Sequence, residues 1–158
     1  MQSPDVRILY AEDHADTREL VTLIFESQNL QVIATEIPDE VLTLARTEHF
    51  DLYLVDNWLP GISGVSLCEQ LREFDRHTPV LFYSAAAYEA DRERALLAGA
   101  QGYLVKPVDG DALVTEVLRL ISDSRKAKSL IGSPESSNPV TALAWSATTV
   151  TLLHDHAK

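Results

Sequence analysis

Glu12 and Asp13 stand side by side directly after the apolar run VRILYA, and Asp56 closes a second such run, DLYLVD. Ser84 ends a third, PVLFYSA, and Lys106 ends a fourth, GYLVK. A carboxylate at the end of a buried strand is costly unless a partner, a metal or a reaction compensates it. Three carboxylates brought together repel one another, so their neighbourhood calls for positive charge. An oxygen-rich site of this kind suits Mg²⁺, and Lys106 adds a further cation. A carboxylate beside Mg²⁺ and an ammonium group can act as the nucleophile in phosphoryl transfer, because cations offset charge on the phosphoryl oxygens. Ser84 could hydrogen-bond one of those oxygens. Taken singly, each residue also has a plainer role: Asp13 or Asp56 as a helix N-cap, Lys106 as a solvated lysine, Ser84 as a turn hydroxyl. Their joint placement at the ends of four strands favours a site.

The elements that must position these groups are legible as an alternation of strand-length apolar runs and helical patterns. VRILYA precedes a helix over 15–27, in which Leu20, Leu23, Ile24 and Ser27 follow helical spacing. LQVIATE precedes a helix over 38–48 that opens on Pro38, and DLYLVD leads through a turn into a helix over 65–74. PVLFYSA and GYLVK precede helices over 89–98 and 111–122. Strands that are apolar throughout and separated by helices predict a doubly wound α/β fold, a five-stranded parallel sheet covered on both faces. Ligands bind such sheets beyond the carboxyl ends of the strands, where Glu12, Asp13, Asp56, Ser84 and Lys106 lie.

Composition sets limits on function. The 158 residues are 46% hydrophobic and 23% charged, which fits one globular domain with a tail. Residues 1–124 hold 9 Lys and Arg against 22 Asp and Glu, whereas 125–158 hold 4 against 2, so the acidity is concentrated in the first part. Such a surface repels phosphate backbones and anionic membranes, which argues against direct nucleic-acid binding. No stretch reaches the roughly 20 apolar residues of a membrane span, and the opening MQSPDVRILYAED has no signal-peptide pattern, so the expected location is cytoplasmic. The single cysteine, Cys68, shares a helical face with Val65 and Leu71 and reads as a core residue.

Together these motifs resemble the receiver domain of bacterial two-component response regulators, over about residues 6–122. Glu12 and Asp13 resemble the family's acidic pair, and Asp56 in LVDNWLPGISG its phosphoacceptor, followed by Pro60, Gly61 and Gly64. Ser84 falls at the switch Ser/Thr, Tyr103 at the switch aromatic, and Lys106 with Pro107 at the lysine that the family keeps. The resemblance implies a flavodoxin-like, CheY-like sheet of order 2-1-3-4-5 with five helices, and a cis Lys106–Pro107 peptide; sequence alone would favour trans. It implies a receiver over 1–124 and, over 125–158, a linker and short tail without an output domain. It further implies that a sensor histidine kinase or phosphotransfer protein delivers a phosphoryl group to Asp56. Mg²⁺ would be held by Asp13, Asp56 and the backbone carbonyl of Trp58, with Glu12 acting through water. Lys106 would pair with the transferred group, Ser84 would move inward, and Tyr103 would turn from solvent behind it. A downstream protein, or a second copy, would read the surface of the fourth helix, fifth strand and fifth helix.

Asn57 stands where the family more often has an apolar residue, and Trp58 where it has something smaller. Trp58 reads either as an aromatic packed over the loop or as a lid against water. His14 reads as a surface residue opening the first helix. Beyond Ser122, SDSRKAKSLIGSPESSNPV reads as a linker, while TALAWSATTVTLLHDH is apolar enough to dock as a strand or a short helix. His154, Asp155 and His156 read as solvated rather than metal-binding. The leading expectation is a stand-alone receiver without an output domain of its own, a phosphorylation switch or relay component that works through protein contacts and is not an enzyme. One alternative is a Mg²⁺-dependent phosphatase with an aspartyl nucleophile, whose Asp-x-Asp pair would need a carboxylate where Trp58 stands. A receiver cut from a larger regulator and a receiver whose chemistry has lapsed are others. A flavin or nucleotide binder is disfavoured by the acidic loop AEDHADT.

Overall fold

A computed structural model of the chain describes residues 5–131. Five strands and five helices alternate: β1 (Arg7–Ala11), α1 (Ala15–Ser27), β2 (Gln31–Thr35), α2 (Pro38–Thr47), β3 (Leu52–Val55), α3 (Gly64–Phe74), β4 (Val80–Ser84), α4 (Glu89–Leu97), β5 (Gly102–Val105) and α5 (Gly110–Ile131). The strands pair in parallel in the order β2-β1-β3-β4-β5, as the resemblance implied.

Side-chain alternation along each strand divides the core in two. Ile8, Tyr10, Leu52, Leu54, Leu81 and Tyr83 pack on one face with Val21 and Phe25 of α1 and Leu113 and Val117 of α5. On the other face Leu9, Tyr53, Val55 and Phe82 meet Val41 of α2, Leu67, Cys68 and Leu71 of α3, and Ala95 of α4. Each fully buried aliphatic side chain contributes about 1.5–3 kcal/mol, so this sandwich is the main source of stability. Cys68 is buried as expected, and burial pushes its thiol up to about 11, which leaves it unreactive.

Two expectations need correction. Leu20 and Leu23 of α1 are 59% and 57% exposed; the helix instead buries Val21 and Phe25, with Ile24 half-buried beside them. Val21 and Phe25 form their own i, i+4 pair, and the aromatic ring covers more of the sheet than Leu20 or Leu23 would. Helix α5 runs on to Ile131 rather than stopping at Ser122. Arg125, Lys126, Ala127, Lys128 and Leu130 are good helix formers, and no Gly or Pro intervenes before Gly132. The expectations for the apolar tail and for His154, Asp155 and His156 lie outside the described residues.

At the end of the sheet opposite the strand-terminal carboxylates, Asp75 caps the turn after α3. It accepts hydrogen bonds from the Tyr53 hydroxyl (2.7 Å) and from the backbone N–H groups of His77 and Thr78 (3.0 Å each). Burial alone would raise its pKa, but these hydrogen bonds outweigh it and lower the carboxyl from 3.8 to about 2. A depressed carboxyl stabilises the fold above its unfolded pKa and loses that contribution as pH falls through the folded value. Urea denaturation is therefore expected to show about 1–2 kcal/mol lost between pH 4 and pH 2, discounted for partial solvent access, and Asp75→Asn is expected to flatten that limb.

Candidate functional site

The sheet's own register assembles the site. Ala11 pairs with Val55, so the next residues, Glu12 and Asp56, emerge from adjacent strands at the same level. Backbone bonds carry the ladder past the strand ends: Glu12 N–H to Thr35 O (3.1 Å), Asp56 N–H to Ala11 O (3.0 Å) and Lys106 N–H to Ser84 O (2.9 Å). Lys106 starts two strand spacings from Asp56, roughly 9–10 Å, a span that its long stem and the small Ser84 on the intervening strand allow.

Within that pocket the Lys106 ammonium lies 2.7 Å from Glu12 Oε2 and 3.1 Å from Asp56 Oδ2. Glu12 is 1% exposed and Asp56 6%, while Asp13 faces solvent. One carboxylate oxygen from each of Glu12, Asp13 and Asp56 falls within 4.8 Å of the others. Burial pushes the Glu12 carboxyl up, partly offset by its hydrogen bond to Lys106. Burial alone would lower Lys106, but the two carboxylates more than reverse this, so the ammonium form is held. Three carboxylates and one ammonium leave a formal charge of two negative, with Asp13 lacking a cationic partner among the described residues. That all-oxygen, partly solvated donor set fits a divalent cation such as Mg²⁺.

The loops are built to hold this geometry. Gly64 lies so close to the phosphoacceptor-candidate loop that a Cβ there would overlap the backbone carbonyl of Asp56 and come within 2.8 Å of Asn57 Cα; its N–H donates to Asn57 O at 2.8 Å. Trp58 N–H donates to Asp56 Oδ1 at 3.2 Å, while its side chain is 63% exposed. His14 is the N-cap of α1, its ring nitrogen accepting from Thr17 N–H, in keeping with a residue that opens the helix. Ser84 is fully buried and its hydroxyl accepts from Ala86 N–H at 3.2 Å, so it bonds none of the three carboxylates. Tyr103 is half-buried, stacked on Phe82 with centroids 5.7 Å apart, and its hydroxyl donates to Ala86 O at 2.7 Å. The Lys106–Pro107 peptide is cis.

Three residues near the pocket were not read from the sequence. Arg18 donates to the backbone carbonyls of Glu12 (2.9 Å) and Asp13 (3.2 Å), clamping the loop that carries the acidic pair, and pairs with Glu36. Tyr10 donates its hydroxyl to Glu12 Oε2 at 3.1 Å. The face of the Tyr83 ring lies 5.4 Å from Lys106 Nζ. Tyr10 had a signal: it precedes Glu12 by two along a strand, and such residues share a side.

A doubly wound sheet with an acidic pocket at its carboxyl edge defines a class, and comparison supplies the family. Residues 8–118 match the family "response regulator receiver domain", and the chain belongs to that family. It is 32% identical over 120 residues to the transcriptional regulatory protein ResD of Bacillus subtilis, covering 76% of this chain and 50% of ResD. Against the cell cycle response regulator CtrA of Brucella ovis it is 30% identical over 120 residues, covering 76% of this chain and 52% of CtrA. The chain therefore spans about half the length of the curated relatives it matches. Among solved structures, the receiver domain of the Francisella response regulator 1452 superposes with a TM-score of 0.72 at 27% identity, covering 76% of this chain and 99% of that one. The receiver domain of the Pseudomonas aeruginosa sensor histidine kinase PA1611, which has a magnesium ion coordinated in its active site cleft, superposes with a TM-score of 0.69 at 27% identity, covering 74% and 98%. The family is a signalling one that works with histidine kinases in two-component systems. No helix of the described residues is long and apolar enough to cross a membrane.

Asn57 departs from the apolar preference at this place with a measurable consequence. It is 8% exposed, and its Oδ1 has no hydrogen-bond partner among the described residues. A buried acceptor left unpaired costs about 1–3 kcal/mol. Asn57→Leu, close in volume and apolar, is expected to raise stability by about 1 kcal/mol in urea denaturation, and an unchanged midpoint would count against the strain assigned to this amide.

Proposed function

We propose that Asp56 is the phosphoacceptor of a conformational switch. The observation that carries this reading is the sharing of Lys106 between buried Glu12 and Asp56, in a pocket whose acidic charge fits a divalent cation. A carboxylate oxygen of Asp56 attacks the phosphorus of a phosphohistidine on a sensor histidine kinase or phosphotransfer protein. The O–P bond forms as the P–N bond breaks, and the electron pair of the broken bond stays on the imidazole nitrogen, which then takes a proton from solvent. Asp13, Asp56 and the Trp58 backbone carbonyl, with Glu12 through water, would hold Mg²⁺. That ion, when bound, offsets negative charge on the phosphoryl oxygens. Lys106 moves from the carboxylates to an oxygen of the transferred group.

Transmission follows a short chain of bonds. The Ser84 hydroxyl accepts from Ala86 N–H, and the Ala86 carbonyl accepts from the Tyr103 hydroxyl. When Ser84 turns to a phosphoryl oxygen, Ala86 loses the bond at its N–H, and the residue whose carbonyl anchors Tyr103 is freed to shift, so the populations of the Tyr103 arrangements change. The elements so altered carry Tyr88 at the start of α4, Val105 of β5 and Leu118 of α5, all with exposed side chains. A downstream protein or a second copy that packs on those residues would read the phosphorylation state.

Incubation with Mg²⁺ and acetyl phosphate, read by intact mass, is expected to add one labile phosphoryl group per chain and none to Asp56→Asn. An adduct on Asp56→Asn, or many turnovers of donor per chain, would overturn the reading; the latter would point to a phosphatase. Trp58→Ala is expected to lose the phosphoryl group faster than the wild type if the indole, carried on the loop whose N–H bonds Asp56, limits water's approach. Equal lifetimes would leave Trp58 as a surface aromatic only.

A further inference from the structure

We infer that Tyr10 is a positioning residue for phosphoryl transfer: its hydroxyl holds Glu12 in place so that Lys106 can leave Glu12 for the phosphoryl group. This rests on Asp56 being the phosphoacceptor. Tyr10 is wholly buried on β1, among Ile8, Leu54, Val114 and other apolar side chains that an aliphatic residue would satisfy equally well. The phenol oxygen is therefore the part of Tyr10 that packing does not require. It donates to Glu12 Oε2 at 3.1 Å, the same oxygen that takes Lys106 Nζ at 2.7 Å. Burial, then the charge of Glu12 and the hydrogen bond to it, hold the phenol far above its ordinary pKa, so it stays a donor.

The ammonium lies 2.7 Å from Glu12 and 3.1 Å from Asp56, so a phosphoryl group on Asp56 would compete with Glu12 for it. Glu12 then gives up the one ammonium that pairs with it directly among the described residues while still buried, and a Mg²⁺ reached through water does not replace that contact, which is unfavourable for a buried carboxylate. Two donors remain to it: the Tyr10 hydroxyl and His14 N–H, which reaches Oε1 at 3.3 Å. Of these, only the hydroxyl serves the oxygen that Lys106 vacates. Removing it makes Glu12 more dependent on Lys106 and retards the ammonium's transfer.

The test compares wild type with Tyr10→Phe, using acetyl phosphate as donor. In that reaction the new bond joins Asp56 to phosphorus, and acetate departs with the electron pair of the broken P–O bond. Mg²⁺ affinity is taken from calorimetric titration, and the phosphorylation rate is taken at saturating Mg²⁺. The rate is expected to fall about tenfold and the Mg²⁺ Kd to stay within about twofold, since the lost hydrogen bond counts most once Lys106 has left Glu12 and least while the two still pair. An unchanged rate, or a rate loss matched by an equal loss of Mg²⁺ affinity, would overturn the inference. Failure of the wild type to take up phosphate would instead overturn the assignment of Asp56, and this inference with it. A second measurement needs no variant: with ¹³Cζ-tyrosine placed at position 10 of the wild type, the resonance is expected to shift when Mg²⁺ and beryllofluoride are added, and a stationary resonance contradicts the proposal.

Discussion

Lys106 sits between two buried carboxylates, and the rest of the site depends on that contact. Two like charges 4 Å apart repel by about 4 kcal/mol at an effective dielectric near 20, a substantial part of a small domain's stability. One ammonium within 3.1 Å of both Glu12 and Asp56 offsets that repulsion without filling the pocket. Asp13 is open to solvent and its carboxylate has no Lys or Arg partner among the described residues, so one ammonium faces three carboxylates. An acidic pocket of this composition fits a divalent cation.

The parallel sheet is what makes such an arrangement possible. Hydrogen-bonded register between β1 and β3 puts Glu12 beside Asp56, and the backbone bond from Lys106 to Ser84 fixes the lysine's starting point. Loops then refine it: Arg18 holds the two carbonyls of the acidic pair, and Gly64 lets α3 begin against the backbone of Asp56 and Asn57. At the same sheet end Ala86 joins Ser84 and Tyr103, its N–H donating to the Ser84 hydroxyl and its carbonyl accepting from the Tyr103 hydroxyl.

Much of this could be read before any coordinates. Apolar runs ending in Glu12, Asp56, Ser84 and Lys106 located the site because strand ends in a doubly wound sheet share one edge. What escaped were interactions that residue type does not announce. Tyr10 and Tyr83 look like ordinary core aromatics within apolar runs, and only three-dimensional placement shows a hydroxyl on Glu12 and a ring face toward Lys106. Arg18 looks like an exposed helical charge, yet its guanidinium turns back onto the loop. Leu20 and Leu23 competed with Val21 and Phe25 for the buried side of α1, and periodicity alone could not rank two stripes offset by one residue. The end of α5 was misplaced because Ser and Lys belong equally to linkers and to solvated helices.

The most direct measurement is a crystal structure of the chain with Mg²⁺ and beryllofluoride. The account predicts beryllium bonded to an oxygen of Asp56, Lys106 Nζ on a fluorine rather than on Glu12, and the Tyr10 hydroxyl still on Glu12. Beryllofluoride held by another side chain, or Lys106 still closed on Glu12 beside an unaltered Asp56, would contradict it.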